Sequence, residues 1–163
     1  MVFVETIANP VTQVAQLDAL ATFCKKHKLL FVVDSTMTSP ALVQPIDFGA
    51  NLVVHSLTKY IGGHGNVLGG ALVDCGNFDW TTWENIYEPY KKFPQEKWGI
   101  TQVRKKSIRD FGAVLHPQAA HQIAMGAETL PLRMKQSGEN AMALAAFLEN
   151  HEKVSWVYFP GLA

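Results

Sequence analysis

Residues 55–64 read HSLTKYIGGH, which sets one amine, Lys59, among two hydroxyls, Ser56 and Thr58, and a glycine pair. Burying a lysine is costly. The apolar run at 52–54 that leads into this stretch reads as a strand covered on both faces, so the surroundings must use an amine. A second such run, 29–33, ends in a carboxylate, Asp34. Each group has a chemical use. Two hydroxyls at i and i+2 can donate to phosphate oxygens. An amine that gives up its proton can form a Schiff base with an aldehyde. A carboxylate can hold a pyridine nitrogen protonated, which turns the ring into an electron sink.

The elements that would position these groups follow from the same pattern. About two dozen residues separate Asp34 from Lys59, enough for one crossover and one strand. A right-handed crossover makes the two strands parallel, so both carboxyl ends emerge on one edge of the sheet. That edge is where open α/β sheets bind ligands. Phosphate, aldehyde and pyridine nitrogen together describe pyridoxal phosphate. A nucleotide phosphate loop needs its glycines before the Lys-Ser/Thr pair. Here they come after, and the glycines at 62–70 do not fit GxGxxG, so both nucleotide readings are rejected.

Along the chain, 2–5 is a short apolar run that stops at Asn9-Pro10. Val14, Leu17, Ala21 and Cys24 share a helical face. A third strand is expected at 69–73, and residues 76–98, rich in Trp, Tyr and Phe, read as irregular. Helical patterns follow at 100–111, 117–128 and 131–150, the last with a stripe of Ala141, Leu144, Ala145 and Leu148. Residues 154–159 alternate like a strand, with no partner left in the sequence. Strand alternating with helix predicts an α/β fold with a parallel, doubly covered sheet. Apolar strands at both ends suggest a piece of something larger. Its length of 163 residues is that of about one domain.

The 14 basic and 14 acidic residues balance, without a basic stripe, which argues against nucleic-acid or anionic-membrane partners. No apolar stretch has the length of a membrane span, and no signal peptide is visible, so the expected address is cytoplasmic. Cys24 and Cys75 lack metal-ligand spacing and read as free thiols; no metal site is expected.

Four stretches, ETIANP at 5–10, VVDST at 32–36, SLTKYIGGH at 56–64 and GAETLPLRM at 126–134, resemble the Cys/Met-metabolism family of pyridoxal-phosphate enzymes. The wording KYIGGHGN, with FDW and WGITQ downstream, is most similar to its O-acetylhomoserine sulfhydrylases. The resemblance implies part of the large domain of a type I pyridoxal-phosphate-dependent transferase, a mostly parallel sheet covered by helices. Residues 1–128 would belong to that cofactor-binding domain; 129–163 would be a long linking helix and the start of a C-terminal domain. Lys59 would be the Schiff-base lysine and proton carrier, and Asp34 would pair with the pyridine nitrogen. Ser56 and Thr58 would hold the phosphate, and Asn9 would lie near the phenolic oxygen and the substrate carboxylate. Thr36 would lie beside the ring.

The implied reaction is γ-replacement on O-acetyl- or O-succinylhomoserine with sulfide or a thiol. Cystathionine γ-synthase, cystathionine γ-lyase or methionine γ-lyase chemistry is the alternative on the same scaffold. A noncatalytic, truncated cofactor-binding domain is the alternative of another class. Family members are well over twice this long, and a homo-oligomer, dimer or tetramer, is expected of the intact enzyme.

Simpler readings compete at several positions. Asp34 could cap a helix, and Ser56 and Thr58 could be local turn hydroxyls. His64 reads as a structural hydrogen-bonder, His55 as packing at a strand end, and Glu5 as a hydrogen-bonder closing its strand. Arg133 reads as one half of a helix-surface ion pair, and the aromatic cluster as packing or an oligomer contact.

Overall fold

The computed structural model describes residues 1–162. Strands β1 (Val2–Glu5), β2 (Phe31–Asp34), β3 (Leu52–Ser56) and β4 (Gly70–Asp74) form one sheet in that order. The first three are parallel, with Glu5 opposite Asp34 and Asp34 opposite Val54. The uninterrupted apolar runs of β2 and β3 follow from their central places, since alternate side chains meet a different cover on each face. On one face Phe31, Val33 and Val53 pack with Ala50 and with Leu17 and Cys24 of α1 (Leu17–Lys26). On the other, Leu30, Val32 and Leu52 pack with Trp80 and Ile86.

That second cover is the aromatic segment. It consists of three single 3₁₀ turns, Trp80–Thr82, Glu88–Tyr90 and Gln95–Lys97. Phe78, Trp80 and Trp83 meet edge to face, with ring centroids 4.9, 6.4 and 6.2 Å apart. The cluster is therefore core packing. The next helix packs tightly against it, because a Cβ at Gly99 would overlap the Trp80 ring.

Helix α2 (Ser39–Leu42) lies in the β2–β3 connection. Helix α3 (Trp98–Gln102) continues through a π-helical segment, Val103–Ile108, into α4 (Arg109–Phe111). Helices α5 (Pro117–Ala127) and α6 (Leu130–Glu149) follow. At the start of α5 the His116 ring nitrogen accepts from Gln118 N–H at 3.2 Å, a helix-end role.

Four sequence expectations need correcting. The third strand begins at Gly70 and runs antiparallel to β3, with Ser56 opposite Gly70. The chain turns back directly through 57–69, without the helical crossover that a parallel strand would need. Residues 154–159 form no strand and pair with neither sheet edge, β1 or β4, and Trp156 is 78% exposed. On α6 the expected stripe is broken, since Ala145 is buried but Leu144 is 57% exposed. Val14 precedes α1 and instead pairs with Ile7 in an isolated bridge.

Candidate active site

The carboxyl ends of the three parallel strands open onto one cavity of about 800 Å³, within the range of about 300–1,000 Å³ common for small-molecule sites. Asp34 reaches it from the end of β2 and Ser56 from the end of β3. Lys59 lines it from the turn after β3, and Asn9 from the loop after β1. The parallel register makes this convergence, because it brings every carboxyl end to the same edge. Glu5, also on the lining, accepts from Asn9 N–H at 3.3 Å and so closes its strand as expected.

Thr36 holds the strand ends together. Asp34 Oδ1 accepts from the Thr36 N–H at 2.9 Å, and Thr36 Oγ1 accepts from the Ser56 N–H at 2.8 Å. One residue thus orients the carboxylate and ties the end of β3 to the end of β2. The expectation for Thr36 was only that it would lie near a ligand. The usable signal was a hydroxyl two residues after an aspartate at a strand end.

Lys59 sits in a tight π-type turn, Leu57–Ile61, and its own backbone leaves helical values (φ −86°, ψ −122°). Gly62 N–H donates to the Leu57 carbonyl and Gly63 N–H to the Lys59 carbonyl, both at 2.8 Å. The glycine pair has two separate reasons. A Cβ at Gly62 would lie 2.7 Å from the Leu57 carbonyl oxygen. Gly63 has φ +73°, the left-handed region that glycine adopts freely.

Thr58 does not line the cavity with the others. Its Oγ1 accepts from the Gly69 N–H at 3.0 Å and lies 3.3 Å from the Gly69 carbonyl. β3 ends at Ser56, so Thr58 lies in the turn that follows rather than on the strand. His64 Nδ1 meets the Gly62 carbonyl at 2.7 Å, the structural role expected of it.

His55 is buried, and its Nδ1 has no partner among the described residues. Burial pushes this imidazole down from its ordinary value, against the Ser35 backbone and the Asp34 charge, which push it up. Cys24 and Cys75 are free thiols. Burial pushes both up, and the Asp74 carboxylate adds to the effect at Cys75. No group of His, Cys, Asp and Glu suited to a metal occurs among the described residues.

Arg133 corrects the ion-pair expectation. It lines the cavity and makes no salt bridge among the described residues; its guanidinium donates to the backbone carbonyls of Tyr60, next to Lys59, and of Gly126 on α5. Its motif was legible in GAETLPLRM, but the face it presents was not, because that depends on how α5 and α6 pack against the Lys59 turn.

The model of the Cys/Met metabolism PLP-dependent enzymes matches residues 1–163. The chain belongs to this family. It is 39% identical to the O-acetyl-L-homoserine sulfhydrylase of Leptospira meyeri, a match covering 99% of this chain and 40% of the relative. It is also 39% identical to the homocysteine/cysteine synthase of Saccharomyces cerevisiae, over 99% and 39% respectively. Among solved structures, a Campylobacter jejuni protein described as an O-acetylhomoserine (thiol)-lyase, with N′-pyridoxyl-lysine-5′-monophosphate, superposes with a TM-score of 0.89. It is 32% identical, and the match covers 99% of this chain and 42% of that one. The chain thus spans about two fifths of the length of these members of the PLP-dependent family.

The donor set of the cavity fits the family's cofactor. Asp34 suits a pyridine nitrogen, Lys59 an aldehyde, and the Ser56 hydroxyl a phosphate oxygen, and all three line one cavity. The Ser56 N–H is already taken by Thr36, so from Ser56 only the hydroxyl is available to the phosphate.

Proposed function

We propose that this chain is the cofactor-bearing core of a PLP-dependent enzyme performing γ-replacement on O-acetyl- or O-succinylhomoserine with sulfide or a thiol. The observation that carries the reading is that Asp34 and Lys59, from neighbouring parallel segments, line one cavity of small-molecule size. The names of the relatives, sulfhydrylase and homocysteine synthase, support replacement over elimination.

Pyridoxal phosphate, when bound, supplies an aldehyde for amines and a protonated ring that withdraws electrons from carbons attached to it. The roles of the chain follow. Lys59 would hold the cofactor through its amine. Once free, its Nζ would take the proton from the substrate α carbon and carry protons to and from the β carbon. Overall the γ acyloxy group would leave with its electron pair as the carboxylate, and sulfide or a thiolate would take its place. Such positioned proton transfer contributes roughly 10²–10⁴-fold. Asp34, oriented by the Thr36 N–H, keeps a proton on the ring nitrogen. Ser56 donates to the phosphate, and Asn9 orients the phenolic oxygen or the substrate carboxylate. Thr58 contributes at one remove, by anchoring the turn to Gly69.

In this reading residues 1–128 are part of the large domain and 129–163 are the linking helix and the start of the next domain. The first turn of α6 packs on the Lys59 turn. An assembly, dimeric or tetrameric when intact, suits the exposed Phe3 on edge strand β1 and the exposed Leu144 and Phe147 on α6; the address in this reading is the cytoplasm. No helix among the described residues is long and apolar enough to cross a membrane.

The test is a spectrum of the purified chain with pyridoxal phosphate. An imine band that borohydride abolishes is expected, and Lys59→Ala should lose it. Identical spectra for the two proteins would show that Lys59 is not the amine. A lysine-linked band without turnover of acylated homoserine and sulfide would support the reading of a noncatalytic cofactor-binding domain.

A further inference from the structure

The turn that carries Lys59 ends at Gly62, so the Tyr60 and Ile61 carbonyls have no continuing helix to accept from. Arg133, from the first turn of α6, meets both. Nη1 donates to the Tyr60 carbonyl at 2.8 Å, and Nη2 lies 3.5 Å from the Ile61 carbonyl. Nη2 also donates to the Gly126 carbonyl on α5 at 2.7 Å, and Nε to Thr129 Oγ1 at 3.0 Å. The flat guanidinium lies against Gly63, where a Cβ would stand 2.5 Å from Cζ. On the other side Gly126 approaches the Gly62 carbonyl so closely that no side chain fits between them. The positive charge therefore sits among the carbonyls at the ends of two helical segments, where a cation is favoured.

We propose that Arg133 is the positioning residue for Lys59: its planar fork clamps the carbonyls immediately after the lysine to α5 and α6, and so aims the amine into the cavity shared with Asp34. The clamp requires parallel donors at fixed angles. A lysine ammonium keeps the charge but not the fork, so it cannot substitute. The rival use of a cavity-lining arginine is direct capture of an anion. The bonding argues against it, because the N–H groups are directed at four protein oxygens.

The proposal rests on Lys59 being the amine that meets the cofactor aldehyde, and the experiment separates the two. The full chain is mixed with pyridoxal phosphate, reduced with borohydride, and the labelled residue is found by peptide mapping. Label elsewhere than Lys59 in wild type refutes the reading of Lys59 itself. With Lys59 labelled, Arg133→Lys and Arg133→Gln are expected to slow imine formation at Lys59 at least tenfold. The affinity for pyridoxine 5′-phosphate, which has no aldehyde, should change less than twofold. An equal loss of pyridoxine 5′-phosphate affinity would identify Arg133 as an anion receptor and overturn the clamp. Unchanged imine formation would overturn it as well. Should the Arg133 variants fail to fold, Thr129→Val removes the Nε partner, together with the long Thr129 Oγ1 bond to the Gly126 carbonyl at 3.4 Å. It is expected to slow the same step about threefold at unchanged pyridoxine 5′-phosphate affinity, and an unaltered rate refutes the proposal.

Discussion

Thr36 offers the sharpest test of how the strand ends are held. Thr36→Val keeps the β-branched shape, so side-chain entropy and volume stay nearly constant. What changes is the acceptor for the Ser56 N–H, which now bonds to Thr36 Oγ1 at 2.8 Å. A buried donor left without a partner costs about 1–3 kcal/mol. The Ser56 end of β3 is only half-buried, and water can reach part of it, which favours the lower half of that range. The new methyl recovers some apolar contact, less than the roughly 0.8 kcal/mol of a fully buried carbon, because Thr36 is itself half-buried. The net expectation is a loss of about 1 kcal/mol, or about 2–4 °C in midpoint for a chain of this size. Thr36→Ser, which keeps the oxygen, should recover most of it. Urea denaturation followed by tryptophan fluorescence measures both variants. The Asp34 contact uses the Thr36 backbone N–H and survives either change, so the Asp34 carboxylate should keep its orientation. If Thr36→Val is as stable as wild type and Thr36→Ser is not, the hydroxyl bridge does not hold the strand ends.

His55 predicts an acid-side effect. Burial depresses its pKa from 6.5 in the native state, so the unfolded chain takes up that proton first as pH falls. The contribution of neutral His55 is complete above about pH 6.5 and is lost as pH drops towards the depressed native value. Denaturation midpoints from pH 7 down to about pH 5 should fall less steeply in His55→Asn than in wild type; parallel curves would refute this. Gly99→Ala should cost about 1–3 kcal/mol through overpacking against Trp80. An unchanged urea midpoint would show that the aromatic cover yields freely.

Much of the site was readable because its logic is local. A covered strand shows as an apolar run, and what stands at its carboxyl end is written in the next few residues. Asp34 and Lys59 were recognisable in that way, and so was the glycine-flanked turn. The direction of β4, the exposure of Leu144 and the absence of a strand at 154–159 were not readable. Each depends on which surface lies alongside, and the same alternating pattern serves a paired strand or an exposed tail.

The sequence alone determined the chemical inventory: an acid, an amine and a hydroxyl placed after successive strands, together with the backbone freedom that Gly63 requires. Tertiary structure decided how that inventory is used. It tied Thr58 to Gly69, made Thr36 the bridge between two strand ends, and bonded Arg133 to the lysine turn rather than to a helix-surface carboxylate. The physical reason is that a hydrogen bond has a direction as well as a partner. Spacing along a chain says which groups can come near one another, while only the packing of distant segments sets where their donors and acceptors point.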